Sequence, residues 1–123
     1  MLSHFQVCMR LKSAIWVAAY VRRCYAEGAF AVVRRRGAEE AGAIFVKVSR
    51  LDGTAELFSP APQSVFHEAG PQVRLFCRAF SESWPSETTV EDRIKRELRF
   101  DPDVWIIEVE DRAGRHFLTD LIP

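Results

Sequence analysis

Residues Ala43 to Phe58 read AIFVKVSRLDGTAELF, two alternating apolar runs on either side of Asp52-Gly53. An Asp-Gly pair supplies the two positive-φ positions of a type I′ turn, whose twist matches that of the strands it joins. A two-residue turn sets Val48 opposite Leu57 and Lys47 opposite Phe58. Ile44, Val46 and Val48 then share one face of the hairpin, and Phe45, Lys47 and Ser49 share the other. An antiparallel sheet is therefore expected through the middle of the chain.

The flanking segments extend this into an α+β pattern. Ser13 is placed to N-cap a first helix and Gly28 to end it. Between them, Val17, Tyr20, Val21 and Cys24 recur at i, i+3, i+4 and i+7, one apolar helix face. Phe30 to Arg36 reads as a strand, Gly37 to Gly42 as its connection, and Ala43 to Arg50 and Thr54 to Phe58 as the hairpin. Pro60 and Pro62 end that last strand. Ser64 to Pro71 reads as a linker and Gln72 to Phe80 as a fourth strand. Thr88-x-x-Glu91 is a capping box opening a helix on which Val90, Ile94 and Leu98 repeat. Pro102 forbids its continuation. Val104 to Asp111 is a strand whose first half is apolar on both faces, as expected near a sheet centre. Arg115 to Leu118 is a candidate short edge strand. The expectation is a curved antiparallel sheet of four to five strands with two helices packed on one face.

With 123 residues, the chain is the length of one domain. The organised pattern runs from residue 9 to 118. Residues 1–8 lack periodicity and read as a disordered tail or start-site extension before Met9. Cys8, Cys24 and Cys77 form an odd, sparse set without a CxxC spacing, which fits free thiols in a reducing cytoplasm better than a disulfide framework. No apolar run approaches the roughly 18 residues of a membrane span, so no membrane partner is expected. Net charge is zero but unevenly placed: residues 1–60 carry nine basic and five acidic side chains, residues 61–123 eight and twelve. Such polarity suits self-association better than nucleic-acid binding, which draws on strongly basic domains.

Five stretches carry a resemblance. They are Leu11-Lys12-Ser13-x-x-Trp16-Val17-x-Ala19 with Arg22-Arg23-Cys24 and Gly28-Ala29-Phe30-Ala31-Val32, then Gly42-Ala43-Ile44-Phe45-Val46-Lys47-Val48, then Phe100-Asp101-Pro102-Asp103-x-Trp105-Ile106. Together they resemble a small alphaproteobacterial family of uncharacterised proteins, a domain-of-unknown-function family of about this length. The resemblance covers Met9 to Phe117 and implies a bacterial source. It brings no activity, cofactor or catalytic residue.

The chemistry-bearing residues are scattered. Arg34-Arg35-Arg36, with Arg22, Arg23, Arg10 and Lys12, is dense enough to meet phosphates or an acidic partner, although strand alternation sends Arg35 away from Arg34 and Arg36. The Gly37–Gly42 loop holds two acids and leads into a strand, unlike a phosphate cradle, which leads into a helix. His4 and Cys8 are i, i+4, but His67, His116, Cys24 and Cys77 show no ligand-like spacing, so neither a metal nor another cofactor is expected. Glu108 and Glu110 share a strand face about 7 Å apart, and a small enzyme would have to assemble its site from Glu108, His67 or Cys77. Trp84, in a loop before Pro85, is the aromatic most exposed by its context, while Trp105 belongs in the core.

No catalytic constellation stands out. The sequence favours a small cytoplasmic domain that binds a protein or a second copy of itself, with a nucleic-acid or phosphate-binding module as the first alternative and a small enzyme as the second. The candidate binding surface comprises Arg22, Arg23, Arg34, Arg36, Phe45, Lys47, Phe58 and Trp84. Its centre is the mixed row of Phe45, Lys47 and Phe58, which is too apolar for plain solvation and has no helix left to cover it.

Overall fold

The computed structural model describes residues 11–62 and 74–123. Helix α1 spans Ser13–Ala26 and buries Val17, Tyr20 and Cys24. Its end is a Schellman motif: Gly28, at φ 88°, donates to Tyr25 O and Ala29 to Cys24 O. Its start differs from expectation. Lys12 is the N-cap residue and makes no side-chain cap bond. The amides of Ser13 and Ala14 donate instead to Glu40 O and Glu39 O, and Ser13 Oγ donates to Gly42 O at 2.7 Å. The glycine-bounded loop is thus the cap of α1. It offers carbonyls to the helix, the opposite polarity to a phosphate cradle.

Five strands follow: β1 (Phe30–Arg35), β2 (Ile44–Ser49), β3 (Ala55–Pro60), β4 (Phe76–Arg78) and, after helix α2 (Glu87–Phe100), β5 (Trp105–Glu110). They form one sheet in the order β1-β5-β2-β3-β4. The class is α+β and the sheet is mostly antiparallel. β5 enters between β1 and β2, antiparallel to the first and parallel to the second, which explains why Trp105, Ile106 and Ile107 are all buried. Arg115–Leu118 forms no strand.

The helices take opposite faces, not one. Val17, Tyr20 and Cys24 of α1 pack on Ile44, Val46, Val48, Phe58, Trp105 and Ile107. Val90 and Ile94 of α2 pack on Phe45, Ala55, Leu57 and Ile106. The turn decides which β3 residues reach each helix. Arg50 N–H donates to Thr54 O across a three-residue loop in which Leu51 and Gly53, not Asp52, have positive φ. Asp52 instead turns its carboxylate onto the Thr54 amide and hydroxyl, an Asx-type bond that holds its pKa below the usual value. The longer loop sets Lys47 opposite Leu57 and Val48 opposite Glu56. A one-residue slip turns every β3 side chain to the other face, so Phe58 joins the α1 core and Leu57 becomes apolar floor for α2.

Helix α2 also starts earlier than the expected Thr88 box. Ser86, directly after Pro85, is the N-cap and accepts the Thr89 amide at 3.2 Å. Glu91 is thereby free to turn its side chain toward the sheet. No described helix is long and apolar enough to cross a membrane. The expectations for residues 1–8, His4, Cys8, His67 and the 64–71 linker lie outside the described residues.

Candidate functional site: the β1 edge and the charged cluster beside it

Two neighbouring features of the α2 face stand out. The first is a charged cluster under the helix. Lys47, from the sheet centre, keeps only 4% of its side chain exposed and reaches Glu91 at 2.6 Å, Glu87 at 3.4 Å and Glu108 at 3.5 Å. Arg34 of β1 grips both oxygens of Glu91 at 2.7 and 2.9 Å and contacts Glu108 at 3.1 Å. Ser49 Oγ donates to Glu87. Burial alone would pull the Lys47 ammonium down, but the Glu91 hydrogen bond and the three carboxylate charges outweigh it and hold its pKa up. The Arg34 hydrogen bond, reinforced by Lys47, pulls Glu91 down to about 2. Each charge has opposite charges around it, so the cluster works as a clamp joining β1, β2 and β5 to α2 rather than as a reactive group awaiting substrate.

The second feature lies beyond Arg34. β1 is an edge strand whose outer side pairs with no described strand. Ala31 and Val33 turn toward α1, whereas Phe30 and Val32 turn to the α2 side. No described β1 residue belongs to the α2 core. Phe30 and Val32 are left 48% and 40% exposed, and Tyr25, 52% exposed, sets its ring edge-on to Phe30 at 6.0 Å. An apolar stripe therefore runs along an open backbone edge. The sequence shows the alternation of Phe30-Ala31-Val32-Val33 but not which strands flank it, so it gives no sign that the outward row is uncovered.

The sequence-derived surface does not assemble as expected. Phe45 and Lys47 are buried beneath α2, and Phe58 is buried on the α1 side, both consequences of the β2–β3 register and of the placement of α2. Arg22 and Arg23 are exposed on α1, where Arg23 donates to Phe117 O. Arg34 lies in the clamp, while Arg36 lies over the Trp105 ring at 5.0 Å, so the basic run is divided. Trp84 is half-buried under the Arg50 guanidinium, 4.0 Å from its ring, and its amide donates to the buried Glu56.

Glu108 sits in the clamp on β5, whereas Cys77 lies on β4 with Ser59 at 3.7 Å. Three strand intervals separate them, about 14 Å, so they share no site. Among the described residues no group of three metal-ligating side chains forms. A hollow of about 120 Å³ beside Gly42, Ile44, Pro60 and Phe76 is below the size of ordinary small-molecule sites.

A family model described as a protein of unknown function, DUF1491, matches residues 11–119. A crystal structure of a DUF1491 family protein from Caulobacter crescentus CB15 is similar at 41% identity, with a TM-score of 0.76 over 94% of this chain and 100% of that one. The solution structure of protein Atu0922 from A. tumefaciens is similar at 40% identity, with a TM-score of 0.70 over 83% of this chain and 86% of that one. No curated protein matches the chain.

Proposed function

We propose that this chain, which belongs to the DUF1491 family of unknown function, is a protein-binding domain that accepts a partner strand along β1. The observation that carries the reading is the coincidence of a backbone edge that pairs with no described strand with the exposed Phe30–Val32 row. Strand addition draws affinity from main-chain hydrogen bonds and selectivity from alternate side chains, and β1 offers both. The charged clamp supports the reading mechanically. By fixing Arg34, it ties the edge strand to α2 as well as to β5, so β1 is presented as a rigid rail. The domain is taken as residues 9–118, supported by two cores that share one sheet. The cytoplasm is its proposed compartment, supported by the free thiols of Cys24 and Cys77.

A photo-crosslinking side chain in place of Phe30 tests this in the native cytoplasm. The expected result is a discrete protein adduct at position 30 and none when the same group replaces Glu82, which is exposed at the far end of the sheet. Absence of any adduct at position 30 overturns the proposal.

A further inference from the structure

Resting on that reading and deepening it, we propose that the strand added to β1 is β1 of a second copy of this chain, antiparallel about a two-fold axis near Val32. A two-fold interface must be complementary to itself, each end of the patch matching the other. The β1 rail has that property. At its N-terminal end stand the exposed Glu27 and, across from Phe30, Glu110. At its C-terminal end stand the exposed Arg35 and Arg36. Between them lie Phe30 and Val32, with no charged residue interposed on the strand. An axis at Val32 carries Arg35 and Arg36 of each copy to the Glu27–Phe30 segment of the other. A parallel arrangement would place arginine on arginine and acid on acid, a like-charge penalty at both ends.

The backbone permits this pairing. The register irregularity of β1 falls between Val33 and Arg35, leaving Phe30–Val33 regular, and the strand holds no proline. Phe30 and Val32 of both copies then lie on one face of a continuous sheet, Val32 directly opposite Val32, with Phe30 diagonally beside it and facing the aliphatic stem of Arg34 of the other copy. The chain's zero net charge adds no overall repulsion between copies.

The test uses the full chain. Sedimentation across concentration is expected to show a reversible monomer–dimer equilibrium that weakens several-fold as salt rises. Val32→Arg should weaken the dimer at least ten-fold, and Phe30→Lys serves as the second variant if the first fails a circular dichroism check of folding. A short bismaleimide should link Val32→Cys into a covalent dimer far faster than Ser81→Cys or the parent chain.

A chain that stays monomeric at all concentrations overturns self-pairing, as does a dimer that neither Val32→Arg nor Phe30→Lys disturbs and Val32→Cys does not trap. A monomeric chain whose position-30 probe captures a different protein overturns the second-copy proposal alone. A monomeric chain with no adduct at position 30 overturns both proposals.

Discussion

Lys47 Nζ lies 2.6 Å from Glu91 Oε2 and joins the middle of the sheet to the middle of α2 through a contact that is almost closed to solvent on the lysine side. Removing the ammonium leaves Glu87, Glu91 and Glu108 facing one another with only Arg34 between them. Lys47→Met is expected to destabilise the domain by about 3 kcal/mol. Pairing it with Glu91→Gln should recover part of that loss, since the double variant relieves the like-charge contact. Chemical denaturation of the two single variants and the double variant measures the coupling. Strict additivity would show that the clamp carries no interaction energy.

The clamp also sets an acid limb. The folded-state pKa of Glu91 is depressed to about 2, so its contribution is complete above the unfolded carboxylate range and is lost as pH falls toward 2. The loss should be on the order of 2 kcal/mol, less than the full shift implies because the site is partly screened. His116 acts earlier and in the same direction. Burial, then the nearby Arg78, lowers its pKa, and its Nδ1 accepts the Leu118 amide at 2.9 Å. The unfolded chain therefore takes up the histidine proton first, and stability begins to fall as pH drops through the ordinary histidine range. Thermal melts against pH should show two acid steps. Glu91→Gln should flatten the lower one and leave the upper one in place.

Gly37 and Gly53 should respond to alanine for different reasons. A Cβ on Gly37 would collide with Asp103 O and stand 2.7 Å from Trp105 Cδ1, inside the loop that caps α1. Gly53 has open space around it but a φ of +91°. Gly37→Ala should cost about 3 kcal/mol through displaced backbone, and Gly53→Ala about 1 kcal/mol through conformation alone. Equal costs in urea titrations would contradict the close packing of the capping loop on the β5 approach.

The start of α2 offers a clean choice between two caps. Ser86→Ala removes the acceptor of the Thr89 amide and should cost about 1 kcal/mol. Thr88→Ala, at an exposed position of the first turn, should change stability by less than about 0.5 kcal/mol. The reverse order in thermal melts would restore Thr88 as the cap.

The same comparison shows what was legible in the chain. The α1 face, its Gly28 ending, the five strand positions and the central placement of the Val104–Ile107 run all follow from local pattern, because periodicity and turn chemistry act over a few residues. The faces do not. They depend on whether Asp52-Gly53 closes in two residues or three, and the Asx bond from Asp52 to Thr54 decides it. From that step follow the burial of Phe58 against α1 and the placing of Leu57 under α2; the burial of Phe45 and Lys47 follows from α2 lying on their face, and with it goes the surface expected from their row. The exposed Phe30–Val32 stripe was hidden for a different reason. Its openness depends on β1 lying at the edge of the sheet, a relation between strands far apart in sequence.

That relation has a consequence for synthesis on the ribosome. β1 is made early, yet its strand partner among the described residues is β5, the last strand of the sheet to emerge. The β2–β3 hairpin joins residues close in sequence, but the inner edge of β1 has no partner until residues 105–110 clear the exit tunnel. During that interval both sides of β1 are unsatisfied, and its apolar run is a hazard for nascent chains held close together on one message.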